Sequence, residues 1–423
     1  MRRSAIIASA VALSLALVGC SSAGTSESKD AGKDVQVVSW WAQGSEKAGY
    51  EALQKIFKEK KKDFNFVDAA VAGGGGSQAK QKLQADLDAG NPPETFQAHA
   101  GAELTDYIKA GQIEDVSALY DKFKLREVFP QSLIERLTVD GKIYSIPSNI
   151  HRANVLWYNP EVLKSAGIDP KKVPATIDDW IADMEKVKAA GKVPLTLGMN
   201  WTQTQLLETI LIADLGAEGY NGLWDGKTDW AGAEVTKALK HFQKIVELAQ
   251  TDSSADWEPT LNFVMDGKAA YNVMGDWAIA AFTAAKKEMD KDWMWAPVPG
   301  TQDVFDFLAD SFTLPKGAKN PEGAKAWLEV IGSADGQAQF NLIKGSIPAR
   351  TDVDTTKFPE YQQKAMEDFK SKTVVSSLAH GAAAPLAVSS AINDAVVKFT
   401  QGQGKDVEGL QKDLVNATKS LKK

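Results

Sequence analysis

The sequence predicts an α/β fold with two domains. Residues 1–33 form a leader and spacer, which leaves about 390 of the 423 residues, more than one hydrophobic core usually serves. Segments typical of strands alternate with segments typical of helices, the order found in α/β domains. Apolar residues make up 44% of the chain and charged residues 24%, as in ordinary globular proteins, and no apolar run after the leader reaches membrane length.

The leader is an apolar stretch that ends at a single cysteine. Arg2 and Arg3 precede apolar residues 5–18, and Gly19 stands before Cys20 as the small residue that a signal peptidase needs. This pattern resembles the lipobox of bacterial lipoproteins, so we expect a signal peptide over residues 1–19 and a lipid such as palmitate on Cys20. Residues 20–33 have the composition of a flexible tether. The alternative is a free cysteine beside a signal, and one cysteine allows no internal disulfide.

Strands and helices alternate along the first part of the chain. We expect a buried strand over 35–41, a helix from about 46, a strand over 64–71, a glycine loop over 73–76, a helix over 77–88, and extended pieces over 112–116 and 141–147. Two later helices carry start signals. Thr176 followed by Asp179 resembles a capping box, and Asn320 before Pro321 places a good cap ahead of a proline at the first helical position.

The candidate binding residues lie where predicted strands and helices begin or end. Adjacent side chains on a strand point to opposite faces, so one ring of Trp40 and Trp41 can enter the core while the other lines a cleft. Gln97 and His99 point the same way on a short strand and need polar partners, which a ligand or a core network can supply. The remaining candidates are Glu46, Trp277, Asp310, Lys344 and His380.

Each of these candidates also has an ordinary structural explanation. Glu46 can be a plain carboxylate at a helix start, and Asp310, Lys344 and His380 can be solvated surface groups. Asp276 precedes an apolar run, and we expect it to be the N-cap of the helix that follows.

Signals for an enzyme or a cofactor are weak. The four histidines lack metal-ligand spacing, the glycine loop lacks the ending of a phosphate loop, and no Gly-x-Ser-x-Gly elbow is present. A net charge of −7 argues against nucleic acid as a partner. A glycoside hydrolase that uses two of Glu46, Asp276 and Asp310 stays open as an alternative.

Six motifs follow one another along the chain: DGKIYSIP at 140–147, LWYNPE at 156–161, AGIDP at 166–170, GKAAY at 267–271, GDW at 275–277 and GSIPAR at 345–350. Together they resemble the extracellular solute-binding proteins of ABC importers, over the chain from about residue 35 to its end. The Trp40-Trp41 pair, the glycine loop and the Asn91-Pro92-Pro93 turn before Gln97 are most similar to the glucose- and mannose-binding branch.

The resemblance implies a two-lobed, periplasmic-binding-protein-like (type II) α/β fold, each lobe a mixed sheet flanked by helices, with the ligand in the cleft between lobes. It assigns 34–145 and about 300–345 to the N-terminal lobe, and about 146–299 and 346–423 to the C-terminal lobe. The expected protein is a lipid-anchored, extracytoplasmic monomer without a cofactor that is not an enzyme. It would capture glucose, galactose or mannose by lobe closure and deliver it to an ABC permease. Receptors for oligosaccharides, and for polyamines or peptides, are alternatives.

The resemblance also assigns roles to the candidate residues. Trp41 and Trp277 would sandwich the pyranose ring of the sugar and Trp40 would flank it. The hydroxyl groups would be bound by Glu46, Gln97, His99, Asp310, Lys344 and His380. Glu103 and Asp106 are secondary candidates, and a small shift of the loop would give the roles of Trp40 and Glu46 to Trp41 and Gln43.

Overall fold

The computed structural model describes residues 32–73, 76–402 and 405–421. The predicted signal peptide and Cys20 lie outside these residues. The strands are β1 (Asp34–Val38), β2 (Asn65–Asp68), β3 (Thr95–His99), β4 (Thr138–Val139), β5 (Lys142–Ile143), β6 (Ser145–Pro147), β7 (His151–Arg152), β8 (Val155–Tyr158), β9 (Val193–Leu197), β10 (Ala249–Thr251), β11 (Ala269–Val273), β12 (Met294–Pro297), β13 (Val304–Leu308), β14 (Asp310–Thr313) and β15 (Thr373–Ser376).

The α-helices alternate with these strands. They are α1 (Glu46–Lys60), α2 (Ser77–Asp88), α3 (Leu104–Lys109), α4 (Ser117–Lys122), α5 (Leu125–Val128), α6 (Gln131–Leu137), α7 (Pro160–Ser165), α8 (Ile177–Ala189), α9 (Asn200–Asp225), α10 (Ala233–Leu248), α11 (Trp257–Met265), α12 (Ala278–Ala284), α13 (Pro321–Gly332), α14 (Ala334–Lys344), α15 (Glu360–Ser371), α16 (Leu386–Gln401) and α17 (Val407–Ala417). Among the described residues, no helix is both long and apolar enough to cross a membrane.

Two five-stranded mixed sheets form the centres of the two lobes. The first has the order β2-β1-β3-β14-β6, and helices α1, α13 and α14 pack together beside it. The second has the order β10-β9-β11-β8-β12 and is flanked by α8, α9, α10 and α11. In both sheets the parallel strands are joined to antiparallel ones. The predicted α/β, two-lobed architecture is confirmed.

A smaller sheet, β15-β13-β7, lies next in sequence to strands of both large sheets. Along the chain, β7 directly follows β6 and β13 directly precedes β14, and both β6 and β14 belong to the first large sheet. Ile150 and Ile347 also form an isolated antiparallel bridge. The segments around 148–154, 304–310 and 345–348 therefore run side by side. The predicted residue boundaries of the two lobes stay a prediction.

Local start signals in the sequence are confirmed. Thr176 Oγ1 accepts a hydrogen bond from the backbone N–H of Asp179, and the Asn320 side chain accepts one from Gly323 N–H at 2.9 Å. Helix α2 has the predicted bounds. The first strand is shorter than predicted, because beyond Val38 the backbone N–H groups of Trp40 and Trp41 donate to side chains, not to a neighbouring strand.

Candidate functional site

A cavity of about 370 Å³ lies between the two lobes. Its first-lobe side includes the loop after β1, the start of α1, the end of β3 and the end of α14, while the starts of α9 and α11 and the turn before α12 contribute from the second lobe. Seven of the nine predicted residues line it: Trp40, Glu46, His99, Trp277, Asp310, Lys344 and His380. Sequence reasoning therefore identified about half of the polar and aromatic residues in the cavity wall.

Asp310 is the centre of the polar wall. Its carboxylate accepts hydrogen bonds from Gln97 Nε2 at 3.0 Å and Asn149 Nδ2 at 2.9 Å, and its Oδ2 lies 3.3 Å from His151 Nε2. Although burial raises the pKa of Asp310, the hydrogen bond and charge of His151, together with His99 and Lys344, hold this pKa well below its usual range. Asp310 therefore presents a stable negative charge to the cavity.

His151 connects Asp310 to a second buried carboxylate, Asp276. His151 Nδ1 forms a short hydrogen bond with Asp276, and the backbone N–H of Arg152 donates to the same carboxylate at 3.0 Å. Burial lowers the pKa of His151, but Asp276 and Asp310 outweigh this effect and raise the pKa above its ordinary value. The expectation that Asp276 caps α12 is wrong, since its carboxylate is engaged by the strand that carries His151.

His99 is oriented by Glu103, one of the two secondary candidates of the sequence analysis. His99 Nδ1 lies 2.8 Å from Glu103 Oε2, and Lys80 Nζ donates to the same oxygen at 2.8 Å. Burial raises the pKa of Glu103, but the charges of Lys80 and His99 dominate and lower it to about 2. Glu103 is thus an ionised, buried support behind His99 and not a lining residue.

Glycines make room for the two indole rings of the cavity. A Cβ at Gly275 would stand 2.0 Å from the ring of Trp277, and a Cβ at Gly76 would stand 2.8 Å from the ring of Trp40. Gly76 also has a φ of +92°, which favours glycine. The ring of Trp277 therefore packs on its own turn and the ring of Trp40 packs on the start of α2, and both rings line the cavity. Gly76, the last residue of the glycine loop predicted over 73–76, has this packing role.

Lys344 and Glu46 form an ion pair at the cavity wall. Lys344 Nζ lies 2.5 Å from Glu46 Oε1 and 5.6 Å from the ring centroid of Trp277. The lysine is positioned because α14 ends there at Gly345, whose φ is +86°. The pair supplies one cationic donor and one anionic acceptor beside an aromatic ring.

Two predicted residues lie behind the cavity wall. The ring of Trp41 is fully buried against Tyr50, Phe312 and Phe340, so the expectation that it faces the ligand is corrected: Trp40 lines the cavity and Trp41 belongs to the core. Gln97 is also buried, where it accepts from Ser39 Oγ at 2.6 Å and donates to Asp310. Gln97 and His99 do point the same way along β3, but only the second reaches the cavity.

The structure adds residues that sequence reasoning missed. His151, Trp201, Asp256, Trp257 and Glu258 line the cavity. For His151, a usable signal was the polar run over 148–154, which precedes the fully buried strand β8. For the others, the signal was a tryptophan at or near the start of a helix, as in α9 and α11.

Glu258 joins the two lobes across the cavity mouth. Its Oε2 accepts from the backbone N–H of Ser45 at 3.2 Å and from Ser45 Oγ at 3.3 Å. Ser45 is the N-cap of α1, where unpaired N–H groups and the helix dipole favour a carboxylate. Glu258 therefore connects the two lobes in this structure.

The cavity combines aromatic faces with hydrogen-bonding groups of both kinds. Such a wall can hold a neutral ligand that has apolar faces and a polar edge. Within the described ranges, no group of three or more His, Cys, Asp or Glu side chains is arranged to hold a metal ion.

Comparison with known proteins identifies the family. The model of the bacterial extracellular solute-binding proteins matches residues 43–338. An uncharacterized ABC transporter extracellular-binding protein of Pyrococcus horikoshii is 35% identical, over 92% of this chain and 88% of its own length. A probable sugar-binding periplasmic protein of Mesorhizobium japonicum is 34% identical, over 92% of this chain and 94% of its own length.

Solved structures show the same fold. The bacterial solute receptor AcbH, described as having an exclusive preference for β-D-galactopyranose, superposes with a TM-score of 0.78 at 20% identity, over 92% of this chain and 99% of its own. The matched family and the relatives are binding proteins and not enzymes. The predicted family and the absence of enzymatic function are therefore confirmed, and the glycoside hydrolase alternative is dropped.

Proposed function

We propose that this chain, which belongs to the family of bacterial extracellular solute-binding proteins, is the sugar receptor of an ABC importer and captures one monosaccharide at a time. Glucose, galactose and mannose are the candidate ligands. The names of the two relatives, an ABC transporter extracellular-binding protein and a probable sugar-binding periplasmic protein, support the importer and the sugar class. The choice of a single sugar unit is supported by the cavity.

The small size of the cavity carries the monosaccharide proposal. Ligand pockets range from roughly 300 to 1,000 Å³. At about 370 Å³ this cavity is at the small end, and the contact between Glu258 and Ser45 joins the two lobes at its edge. An oligosaccharide would need an open path between the lobes for its further units. One pyranose therefore fits this small cavity better than an oligosaccharide does.

The chemistry of the wall suits a pyranose. The ring of a sugar has apolar C–H faces, which pack on aromatic rings, and a polar edge of hydroxyl groups. Trp277 would cover one face with Trp40 beside it, and the hydroxyl groups would be bound by Glu46, His99, Asp310, Lys344 and His380. Hydrogen bonds to charged groups contribute roughly 1.5–3 kcal/mol each, and micromolar affinity needs only about 8 kcal/mol, so a few such bonds with one stacked ring suffice.

Lobe closure is the proposed mechanism. A sugar that contacts both lobes stabilises the closed state, and the closed surface is what a permease can recognise. Glu258 on α11 and Ser45 at the start of α1 would form or break their contact with this motion. No covalent step is involved.

We also propose that the receptor is held at the membrane surface by a lipid on Cys20 and works outside the cytoplasm as a monomer. The tether over 20–33 would give the folded body room to reach a permease in the same membrane. Mass spectrometry of the membrane-bound chain would detect the acyl groups on Cys20.

Isothermal titration calorimetry of the full chain tests the proposed ligand. The titrants are glucose, galactose, mannose, xylose, maltose and spermidine. We expect binding at micromolar concentration or tighter, with one site per chain, to one of the three hexoses. Heat from maltose together with silence from every monosaccharide would move the function to oligosaccharides, and heat from spermidine alone would move it to polyamines.

A further inference from the structure

Two carboxyl groups lie together in the core behind His380. Glu208 on α9 and Asp306 on β13 are both fully buried, and they are close enough that each changes the pKa of the other. Neither carboxylate oxygen of Asp306 has a hydrogen-bond donor among the described residues. Two carboxylates this close cannot both be ionised in a dry interior, so the pair shares one proton.

The hydrogen bonds around the pair show which carboxyl group is ionised. Glu208 accepts from Ser377 Oγ at 2.8 Å and from the backbone N–H of Ala379 at 2.7 Å, bonds that stabilise a carboxylate. Arg152 lowers the pKa of Asp306, but its charge is already paired with Asp368 at 2.7 Å. Burial raises the pKa of both groups, and that of Asp306 is well above its usual range. The proton therefore stays on Asp306, which donates to Glu208.

This assignment determines the hydrogen positions on His380. Ser377 has one hydroxyl hydrogen, and it is donated to the Glu208 carboxylate. Ser377 Oγ must then accept from His380 Nδ1, which lies 2.9 Å away. Burial, with the nearby charge of His99, lowers the pKa of His380 well below its ordinary value, so the ring is neutral. A neutral ring protonated at Nδ1 has a lone pair at Nε2.

Nε2 of His380 is the free end of the hydrogen-bonded series that runs from Glu208 through Ser377 to His380. It is buried and has no hydrogen-bond partner among the described residues. The ring of His380 lies 5.1 Å from that of Trp277 and 5.6 Å from that of Trp201, both in the cavity wall. A buried acceptor without a partner costs free energy until a ligand supplies a donor.

We propose that Glu208 and Asp306 are positioning residues that hold His380 as a hydrogen-bond acceptor at Nε2, so that the cavity selects a ligand with a hydroxyl donor at that place. The ligand class rests on the proposed function, whereas the protonation state of the His380 ring does not depend on it. A sugar analogue that lacks this hydroxyl leaves Nε2 unpaired in the closed cavity and binds about tenfold more weakly.

Long-range proton–nitrogen NMR of the ligand-free full chain tests the ring state. The protein is labelled with ¹⁵N-histidine, and His380 is assigned from a His380→Gln sample. We expect a protonated, pyrrole-like Nδ1 and an unprotonated, pyridine-like Nε2. The opposite pattern, or two protonated nitrogens, overturns the proposal. This experiment needs no sugar, so its result is separate from that of the calorimetric panel.

Glu208→Gln distinguishes positioning from a structural role. Its amide oxygen must face Ala379 N–H, so its NH₂ group donates to Ser377, whose hydroxyl then donates to His380 Nδ1. We expect the other tautomer of the His380 ring, in which Nε2 carries the proton and Nδ1 does not. Asp306→Asn is the conservative variant, because its NH₂ group replaces the donated proton, and the wild-type pattern is expected. A Glu208→Gln protein with an unchanged His380 pattern contradicts the proposal.

Ser377→Ala provides a second variant that removes one hydroxyl. It cuts the link to Nδ1, and we expect both ring forms in the NMR spectrum. Calorimetry with single-deoxy analogues of the bound hexose then completes the test. The wild-type protein should bind one analogue about tenfold more weakly than the parent sugar, and Ser377→Ala should lose that particular selectivity. Equal selectivity in both proteins would contradict the claim that the hydrogen bonds through Ser377 to His380 determine which sugar hydroxyl is selected.

Discussion

Replacing Trp277 with alanine is expected to weaken sugar binding by roughly a hundredfold, about 2.7 kcal/mol, the range found for buried aromatic anchors. The indole ring lies in the cavity wall, 5.1 Å from the ring of His380 and 5.6 Å from Lys344 Nζ. It is the ring best placed to cover one face of a pyranose. The fold should survive, because the deleted ring borders an existing cavity and its loss leaves no new sealed void.

Calorimetry of Trp277→Ala and a matched variant measures this effect. Trp224→Ala removes an indole that packs on Tyr220 and Trp230, away from the cavity, and its affinity for the sugar should equal that of the wild-type protein. Circular dichroism checks that both variants are folded. Wild-type affinity in a folded Trp277→Ala protein would remove Trp277 from the site.

Glu103→Gln is expected to destabilise the folded protein by about 3 kcal/mol at neutral pH. The pKa of Glu103 is lowered from 4.5 to about 2 by Lys80 and His99 against the opposing effect of burial, and each pKa unit corresponds to about 1.4 kcal/mol. Glutamine keeps the shape of the side chain but has no negative charge for the Lys80 ammonium group. Urea unfolding of the two proteins near pH 7 measures the difference in the free energy of unfolding.

The pH dependence identifies the charge as the cause. Because the pKa of Glu103 is lower in the folded state, its contribution is complete above about pH 4.5 and is lost as the pH falls toward 2. The difference between wild type and Glu103→Gln should therefore shrink over that interval. Glu51→Gln is the control: Glu51 is exposed and pairs with Lys47 at 3.5 Å, so its loss should cost well under about 1 kcal/mol. A Glu103→Gln difference that stays constant with pH would contradict the assignment.

Local signals in the sequence predicted the fold well. Alternating strand and helix patterns gave the α/β class, and a threonine or asparagine cap located the starts of α8 and α13. The adjacent pair Trp40 and Trp41 was recognised as divided between core and cleft, but Trp41, the ring expected to stack on the sugar, is the one that lies in the core. Which ring faces inward depends on Phe312 and Phe340, residues far away in sequence that pack on Trp41.

The contacts within the polar wall show the same limit of sequence-based prediction. A sequence can mark Asp310 and His99 as candidates, because each lies at the end of a strand. It cannot show that Asp276 pairs with His151 across more than a hundred residues, since that contact exists only after β7 reaches the turn before α12. The contact of Glu258 with Ser45 likewise requires both lobes to be folded and closed. His151 and Glu258, two of the residues missed, make contacts of this kind.

A crystal structure of the chain with its most tightly bound hexose tests the central claim most directly. The account predicts one pyranose in the cavity between the lobes, with a face against the ring of Trp277 and hydroxyl groups within hydrogen-bonding distance of Asp310 and Lys344. A sugar bound elsewhere on the chain, or linked sugar units that extend out of the cavity past Glu258, would contradict it.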